Sequence, residues 1–144
     1  MFFSFDGIDG VGKSTQMEWF CQWLREQGCD VLICRDPGTT PLGEILRQLL
    51  LDPQGPTIGC RAEMLIYMAA RAQLIDEVIR PALARGQAVV SDRFLLANVA
   101  YQAHGGGLDP DTVWQIGAKA VDGRMPDLVL LLDLDVRAAC RRRG

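Results

Sequence analysis

Eight residues near the start of the chain, Gly7-Ile8-Asp9-Gly10-Val11-Gly12-Lys13-Ser14, match the pattern G-x-x-x-x-G-K-[ST] in full. The glycines let the backbone curl so that successive N–H groups point inward, where phosphate oxygens accept from them. A helix beginning at this loop adds the partial positive charge of its N-terminus. Lys13 would then reach the β- and γ-phosphates of a bound nucleotide, and the Ser14 hydroxyl would sit on Mg2+. The expected nucleotide contacts are Gly7, Asp9, Gly10, Val11, Gly12, Lys13, Ser14 and Thr15. The competing reading is a glycine-rich turn with a chance Lys-Ser. An apolar strand before it and a helix after it tell against that.

A second group follows a later apolar run: Asp92-Arg93-Phe94. A carboxylate at the C-terminal end of a parallel strand faces the crevice where ligands bind in open α/β sheets. Asp92 is therefore a candidate to hold Mg2+ through water, across from Ser14, and Arg93 would set a fork of donors beside a transferring phosphoryl group. A surface Asp-Arg ion pair is the alternative. Tyr67 and Arg71 stand four residues apart on one predicted helix, so they share a face and can clamp one ligand; a core Tyr beside a solvated Arg would read the same. No guanine-reading N-K-x-D is present, and Asp52-Pro53-Gln54-Gly55 spells D-x-x-G only by accident, after a helix and not a strand. His104, the single histidine, lies beside the Gly105–Gly107 loop and reads as a turn residue.

These groups need elements to hold them. Short apolar runs alternate with helical stretches, the βαβ signature of a parallel sheet with helices on both faces. Strands are expected at Met1–Phe5, Val31–Cys34, Ala88–Ser91 and Asp127–Leu134, the last apolar at nearly every position, as a strand covered on both faces would be. Helices are expected from Lys13 to about Gln27, at Leu42–Leu51, from about Arg61 to Ile79 with a break near Pro81, at Asp111–Val121, and from Val136 onward. Met17, Phe20, Cys21 and Leu24 recur at helical spacing, and Gly28 sits where the first helix would be capped. The helix that runs into Arg141-Arg142-Arg143-Gly144 has nothing to pack on beyond it, so the chain reads as one domain, residues 1–144, that is C-terminally incomplete.

Composition narrows the classes. With 144 residues, 49% hydrophobic and 23% charged, the chain suits one globular domain and not a disordered polymer. A net charge of −3 argues against a nucleic acid polymer as partner over the whole surface. Arg outnumbers Lys thirteen to two, which sets Lys13 apart. Cys21, Cys29, Cys34, Cys60 and Cys140 form no C-x-x-C pair, so they read as buried or incidental thiols in a reducing compartment. The N-terminus lacks a signal-peptide pattern and no apolar run approaches the roughly 20 residues of a membrane span. The expectation is a soluble, cytoplasmic protein with no membrane partner.

Four ordered segments carry a resemblance: F-D-G-I-D-G-V-G-K-S-T-Q at 5–16, R-D-P-G-T-T-P-L-G-E at 35–44, R-A-Q at 71–73 and D-R-F-L-L-A-N-V-A-Y-Q at 92–102. Together they resemble the thymidylate kinases, within the nucleoside monophosphate kinase group of P-loop NTPases. The resemblance implies a three-layer α/β fold with four strands here and a fifth missing. It implies transfer of the ATP γ-phosphoryl to dTMP, with Mg2+, by a homodimer. It implies that Asp9 lies near the acceptor's sugar and phosphate, and that Arg35 and Pro37 line the acceptor-phosphate side. Tyr67 would stack on the thymine and Arg71 would hydrogen-bond it. Asn98 would face the base edge, Tyr101 would lie against the deoxyribose, and Gln102 completes the motif. A plain helix-surface reading of Asn98 and Gln102 stays open. Asp6, Ala70 and Ala97 depart from the family's usual residues.

Where Gly10 stands, some members carry an arginine; those with Gly draw arginines from a lid, which puts Arg141, Arg142 and Arg143 forward, Arg143 as a catalytic candidate. A solvated basic helix end is the alternative. Met64, Leu65, Met68 and Leu74 serve either a dimer face or the core. Two other functions remain: another small P-loop kinase with a different acceptor, and a non-catalytic nucleotide-binding fragment.

Overall fold

In the computed structural model, which describes residues 1–142, β1 (Phe2–Asp6) is an inner strand of a four-stranded, all-parallel sheet of order β2-β3-β1-β4. Its neighbours are β3 (Ala88–Asp92) and β4 (Leu128–Leu131), with β2 (Val31–Arg35) outside β3. Side chains alternate across the sheet. Phe3 and Phe5 of β1, with Ala88 and Val90 of β3, pack on one face against Cys21 and Leu24 of α1 (Lys13–Glu26). Phe2 and Val89 face the other way, into a larger core of Met64, Met68, Leu74, Leu95 and Val113. That core is supplied by α3 (Cys60–Leu74), α4 (Arg80–Ala84), α5 (Leu95–Asn98) and α6 (Pro110–Val121). Helices thus cover both faces, giving the three layers expected.

Helix starts follow local chemistry. Thr40 caps α2 (Pro41–Leu51) by accepting from the Gly43 N–H, and Asp109 caps α6 by accepting from the Thr112 N–H. A proline follows each cap, at the helix position that needs no amide donor.

Several expectations change. The helix from α3 does not break at Pro81; a π-helical stretch, Ile75–Ile79, carries it into α4. There the Arg80 N–H reaches back five residues to the Ile75 carbonyl, and this shift of the ladder accommodates a residue without an N–H. A second π-helical stretch, Val99–Gly105, extends α5 and carries exposed His104. β4 is shorter than expected and is not covered on both faces. It is an edge strand whose Leu128 and Leu131 are 51% and 65% exposed, and an apolar edge strand reads the same as a buried one by pattern alone. Met64, Met68 and Leu74 belong to the core and offer no dimer face; of that set only Leu65 is exposed. Cys21 and Cys34 are the two buried thiols, Cys29 and Cys60 are half-buried and Cys140 is exposed, all of them free. The chain closes, within the described residues, with α7 (Val136–Arg142).

The topology brings three strand ends together. Asp6 ends β1, Asp92 ends β3, and Asp36 follows Arg35 at the end of β2, its N–H donating to the Asp92 carbonyl. No described helix is long and apolar enough to cross a membrane.

Candidate active site

The loop from β1 to α1 closes around its own backbone. Gly7 has φ +142°, and a Cβ there would lie 2.5 Å from the Leu132 carbonyl oxygen, so a side chain would push apart the loop and the strand end beside it. Gly12 caps α1 in the left-handed region at φ 100°, which glycine adopts without strain. Lys13 is buried and curls over the loop: its Nζ donates to the carbonyls of Gly7 at 3.0 Å and Ile8 at 3.2 Å, and lies 3.7 Å from Asp9 Oδ1. Burial first, and the Arg93 charge second, hold the Lys13 ammonium below its usual range. Ser14 and Thr15 are exposed on the first turn of α1.

A cavity of about 200 Å3 opens over this loop, lined by Asp9, Gly10, Lys13, Ser14, Arg35, Asp36, Arg47, Asp92 and Arg93. Its charge pattern suits a polyphosphate. Asp92 Oδ1 is buried without a hydrogen-bond partner, an acceptor suited to a hydrated divalent cation, and Ser14 lies on the same cavity. Among the described residues no group of three or more His, Cys, Asp or Glu is arranged for a metal. Two oxygen donors fit Mg2+ held mainly by substrate phosphates and water.

A second cavity, of about 280 Å3, adjoins the first. Predicted residues Asp9, Pro37, Tyr67, Arg71, Arg93, Asn98, Tyr101 and Gln102 all line it, together with Asp36, Arg47, Leu51, Glu63 and Ala97. Arg71 is no solvated partner of a core Tyr; it is 1% exposed, while Tyr67 is half-buried. Its Nε donates to Asp36 Oδ2 at 2.5 Å and its Nη1 approaches Met68 Sδ at 3.1 Å. Its Nη2 donates to Asn98 Oδ1, and its guanidinium lies 5.3 Å from the Phe94 ring centroid. The bonds run on from Asn98 Nδ2 to Gln102 Oε1 at 2.7 Å and from Gln102 Nε2 to Glu63 Oε1 at 3.1 Å. Asn98 and Gln102 are therefore buried and not on a helix surface. Each end of the Asn98 amide is engaged by protein, which uses one of its two N–H donors and one lone pair of its oxygen.

Arg93 bridges the two cavities. Its Nη2 donates to Asp9 Oδ1 at 2.6 Å, its Nη1 lies 3.4 Å from the Tyr101 hydroxyl, and its guanidinium covers the Tyr101 ring at 5.3 Å. Its backbone is left-handed at φ 66°, and its N–H is held by the Phe5 carbonyl at 2.9 Å. Burial holds the Asp6 and Asp36 carboxyls above the usual range; the Ser4 hydroxyl bond opposes this at Asp6, and the Arg71 guanidinium at Asp36.

Two sets stand apart from the second cavity. Arg35 lines the phosphate cavity but not the second one, and its Nη2 is shared by both oxygens of Glu44 at 2.8 and 3.0 Å. Arg141 and Arg142 are exposed at the end of α7 and line neither cavity, and Arg143 lies outside the described residues. Sequence reasoning missed Asp36, Arg47, Glu63 and the Phe94 ring. Glu63 had a signal, four residues before Tyr67 on one helix face.

Comparisons with known proteins point to one family. The family model described as thymidylate kinase matches residues 5–144. The chain is 46% identical over 142 residues to a thymidylate kinase of Halothermothrix orenii, covering 99% of this chain and 68% of that protein. It is 50% identical over 139 residues to one of Rhodopirellula baltica, covering 96% of this chain and 56% of that protein. With one of Desulfovibrio desulfuricans it shares 45% identity over 144 residues, 100% of this chain and 66% of the relative. Measured on these three, the chain spans between 56% and 68% of the relatives' own lengths. A crystal structure of thymidylate kinase from Ehrlichia chaffeensis aligns with a TM-score of 0.85 at 34% identity, covering 99% of this chain and 81% of that one.

Proposed function

The chain belongs to the thymidylate kinase family, and we propose that it transfers the γ-phosphoryl group of ATP to the 5′-phosphate of dTMP, giving dTDP and ADP in nucleotide biosynthesis. One observation carries this reading: a base-sized cavity and a phosphate cavity share the walls Asp9, Asp36, Arg47 and Arg93, so an acceptor in one presents its phosphate to a donor in the other. The base would stack on Tyr67 and hydrogen-bond Arg71, with Asn98 and Gln102 setting the edge of the pocket. The sugar would lie between Tyr101 and Asp9.

The acceptor is already an anionic phosphate, so no strong general base is required and alignment with charge neutralisation does the chemistry. Lys13 would exchange the Gly7 and Ile8 carbonyls for β- and γ-phosphate oxygens, and the loop N–H groups of residues 10–15 would hold the same phosphates. Arg93 would turn from Asp9 toward the transferring group, where its planar fork meets two oxygens at once. Mg2+, held by the nucleotide phosphates with Ser14 and Asp92, supplies further neutralisation when bound. Arg35 and Pro37 stand on the acceptor-phosphate side, and Arg143 is proposed as a lid arginine. We further propose one kinase domain over residues 1–144, acting as a homodimer in the cytoplasm.

Calorimetric titration with dTMP, against dUMP, dCMP and AMP, tests the reading before turnover is measured. Selective binding of dTMP is expected. Binding of none of the four by the folded chain would overturn the pocket assignment, and preference for another monophosphate would replace the acceptor.

A further inference from the structure

An unbroken line of polar side chains walls the second cavity, from Asp36 through Arg71, Asn98 and Gln102 to Glu63. Asn98 and Gln102 are 2% and 4% exposed, so water cannot replace a lost partner there without cost. An amide side chain donates from one end and accepts at the other, and it can be turned over with little change of shape. A guanidinium only donates, and an ionised carboxylate only accepts. Only one combination of the two amide orientations therefore makes every bond in the line. Arg71 requires Asn98 Oδ1, and Asn98 Nδ2 then requires Gln102 Oε1. That leaves Gln102 Nε2 in need of an acceptor, which Glu63 Oε1 supplies at 3.1 Å. The main chain of Gln102 is held separately: the thiol of Cys60, at the start of α3, lies 3.5 Å from its carbonyl oxygen. The turn of the amide is the freedom that remains, and Glu63 removes it.

We propose that Glu63 is a positioning residue for base selection: through Gln102 it fixes which way the Gln102 and Asn98 amides face, and so which base the pocket accepts. The proposal rests on the dTMP kinase reading and adds a residue to it. Thymine offers an acceptor at O4 and a donor at N3–H, whereas cytosine offers an amino donor and an N3 acceptor in the same two places. An amide turned over exchanges donor for acceptor and so favours the other base. Among the described residues the Gln102 side chain bonds only Asn98 and Glu63. Without Glu63, nothing sets its far end. Turned over, it would put Nε2 against Asn98 Nδ2, donor against donor, and press Asn98 to turn as well. Arg71 holds the line at one end, and Glu63 is what holds it at the other.

The test is the ratio of dTMP to dCMP affinity, from competition titrations of the whole chain, since the two ligands share sugar and phosphate. Glu63→Gln can still accept at its own Oε1 and is expected to keep the ratio within about twofold. Glu63→Leu removes the acceptor and is expected to lower the ratio about fivefold or more, the low end for one buried donor left unpaired. In a Gln102→Leu background, Glu63→Leu is expected to move the ratio by less than about twofold, because its route to the base is gone. Alanine serves in place of any leucine variant that thermal melting shows to be unfolded. Three results would overturn the proposal and leave the dTMP reading standing: equal weakening of both ligands in Glu63→Leu, a loss in Glu63→Gln as large as in Glu63→Leu, or an effect that persists without Gln102. If the unaltered chain binds neither ligand, or shows no preference for dTMP, the dTMP reading falls, and the proposal with it.

Discussion

Removing either member of the Arg71–Asp36 pair breaks the same contact, yet the two losses should differ, because only one of the charges can be shed. Asp36→Asn leaves a guanidinium that is 1% exposed without its counter-ion. Arginine keeps its charge across the accessible pH range, so wherever the native Asp36 is ionised the cost is that of an uncompensated buried ion, about 3–5 kcal/mol, and it shrinks at low pH where the native carboxyl is itself neutral. Arg71→Met leaves a carboxyl that can take up a proton. Burial already raises Asp36 and Arg71 opposes that rise, so removing Arg71 raises it further. An acid whose folded pKa lies above its unfolded value binds its proton more tightly when folded. Its contribution to stability therefore declines as pH climbs from the unfolded pKa to the folded one. Relative to the unaltered protein, Arg71→Met should cost least near pH 4.5. It should then lose about 1.4 kcal/mol per pH unit where its carboxyl stays protonated and the native one has ionised. Urea denaturation followed by tryptophan fluorescence, at half-unit steps from pH 4.5 to 8, measures both. A cost for either variant that is flat with pH from 4.5 to 8 would refute the reasoning.

Further outcomes are expected. Lys13→Ala should abolish turnover while dTMP affinity, by calorimetry, stays within about threefold, since one charged hydrogen bond is lost on the donor side only; loss of dTMP binding with ATP binding intact would contradict the assignment. Gly117→Ala on α6 places a Cβ 2.3 Å from Leu95 Cδ1, so it should destabilise by about 1–3 kcal/mol in a thermal melt despite its better helix propensity. Adding Leu95→Ala should remove most of that clash, seen as non-additivity in the double variant. Cys34, buried with its thiol pushed up to about 12, should resist iodoacetamide at pH 8 until the chain is unfolded, while exposed Cys140 is labelled in the native protein by mass spectrometry.

The parts of the site that could be read in advance are those in which the backbone itself does the work. The spacing of Gly7, Gly10, Gly12 and Lys13 is dictated by a loop that must fold onto anions, and few other structures require it. Asp92 was legible for a related reason: a parallel strand points its last carboxylate at the ligand crevice whatever packs around it. Asp36, Arg47 and Glu63 were not. Each is an ordinary charged residue whose role depends on how α2 and α3 fold over the sheet, and local pattern holds no record of that. Both π-helical stretches escaped as well, since a ladder shifted by one residue leaves no compositional mark. The one at Ile75–Ile79 turned Pro81 from an expected stop into part of a helix. β4 failed through ambiguity of pattern: Leu128–Leu131 would look identical at a sheet edge or in its middle.

The electrostatics of the site follow from those strand ends. Asp6, Asp36 and Asp92 end or follow three adjacent parallel strands, and one oxygen of each is buried without a hydrogen-bond partner. An anionic ligand placed directly on such a floor would be repelled. Arg71 and Arg93 both act on Asp6, and each also lines the second cavity, so their guanidiniums offset the carboxylates beside the space a ligand would take. Each of these two arginines would have two tasks: to attract an anionic ligand and to offset the acid near it. Replacing one by a neutral residue removes the attraction and uncovers the repulsion at once. Arg35, whose carboxylate partner Glu44 lines neither cavity, would have only the first task. The arginines of this small site thus answer a feature of the fold: aspartates at the ends of three adjacent parallel strands, whose charge must be offset where a phosphate is to be held.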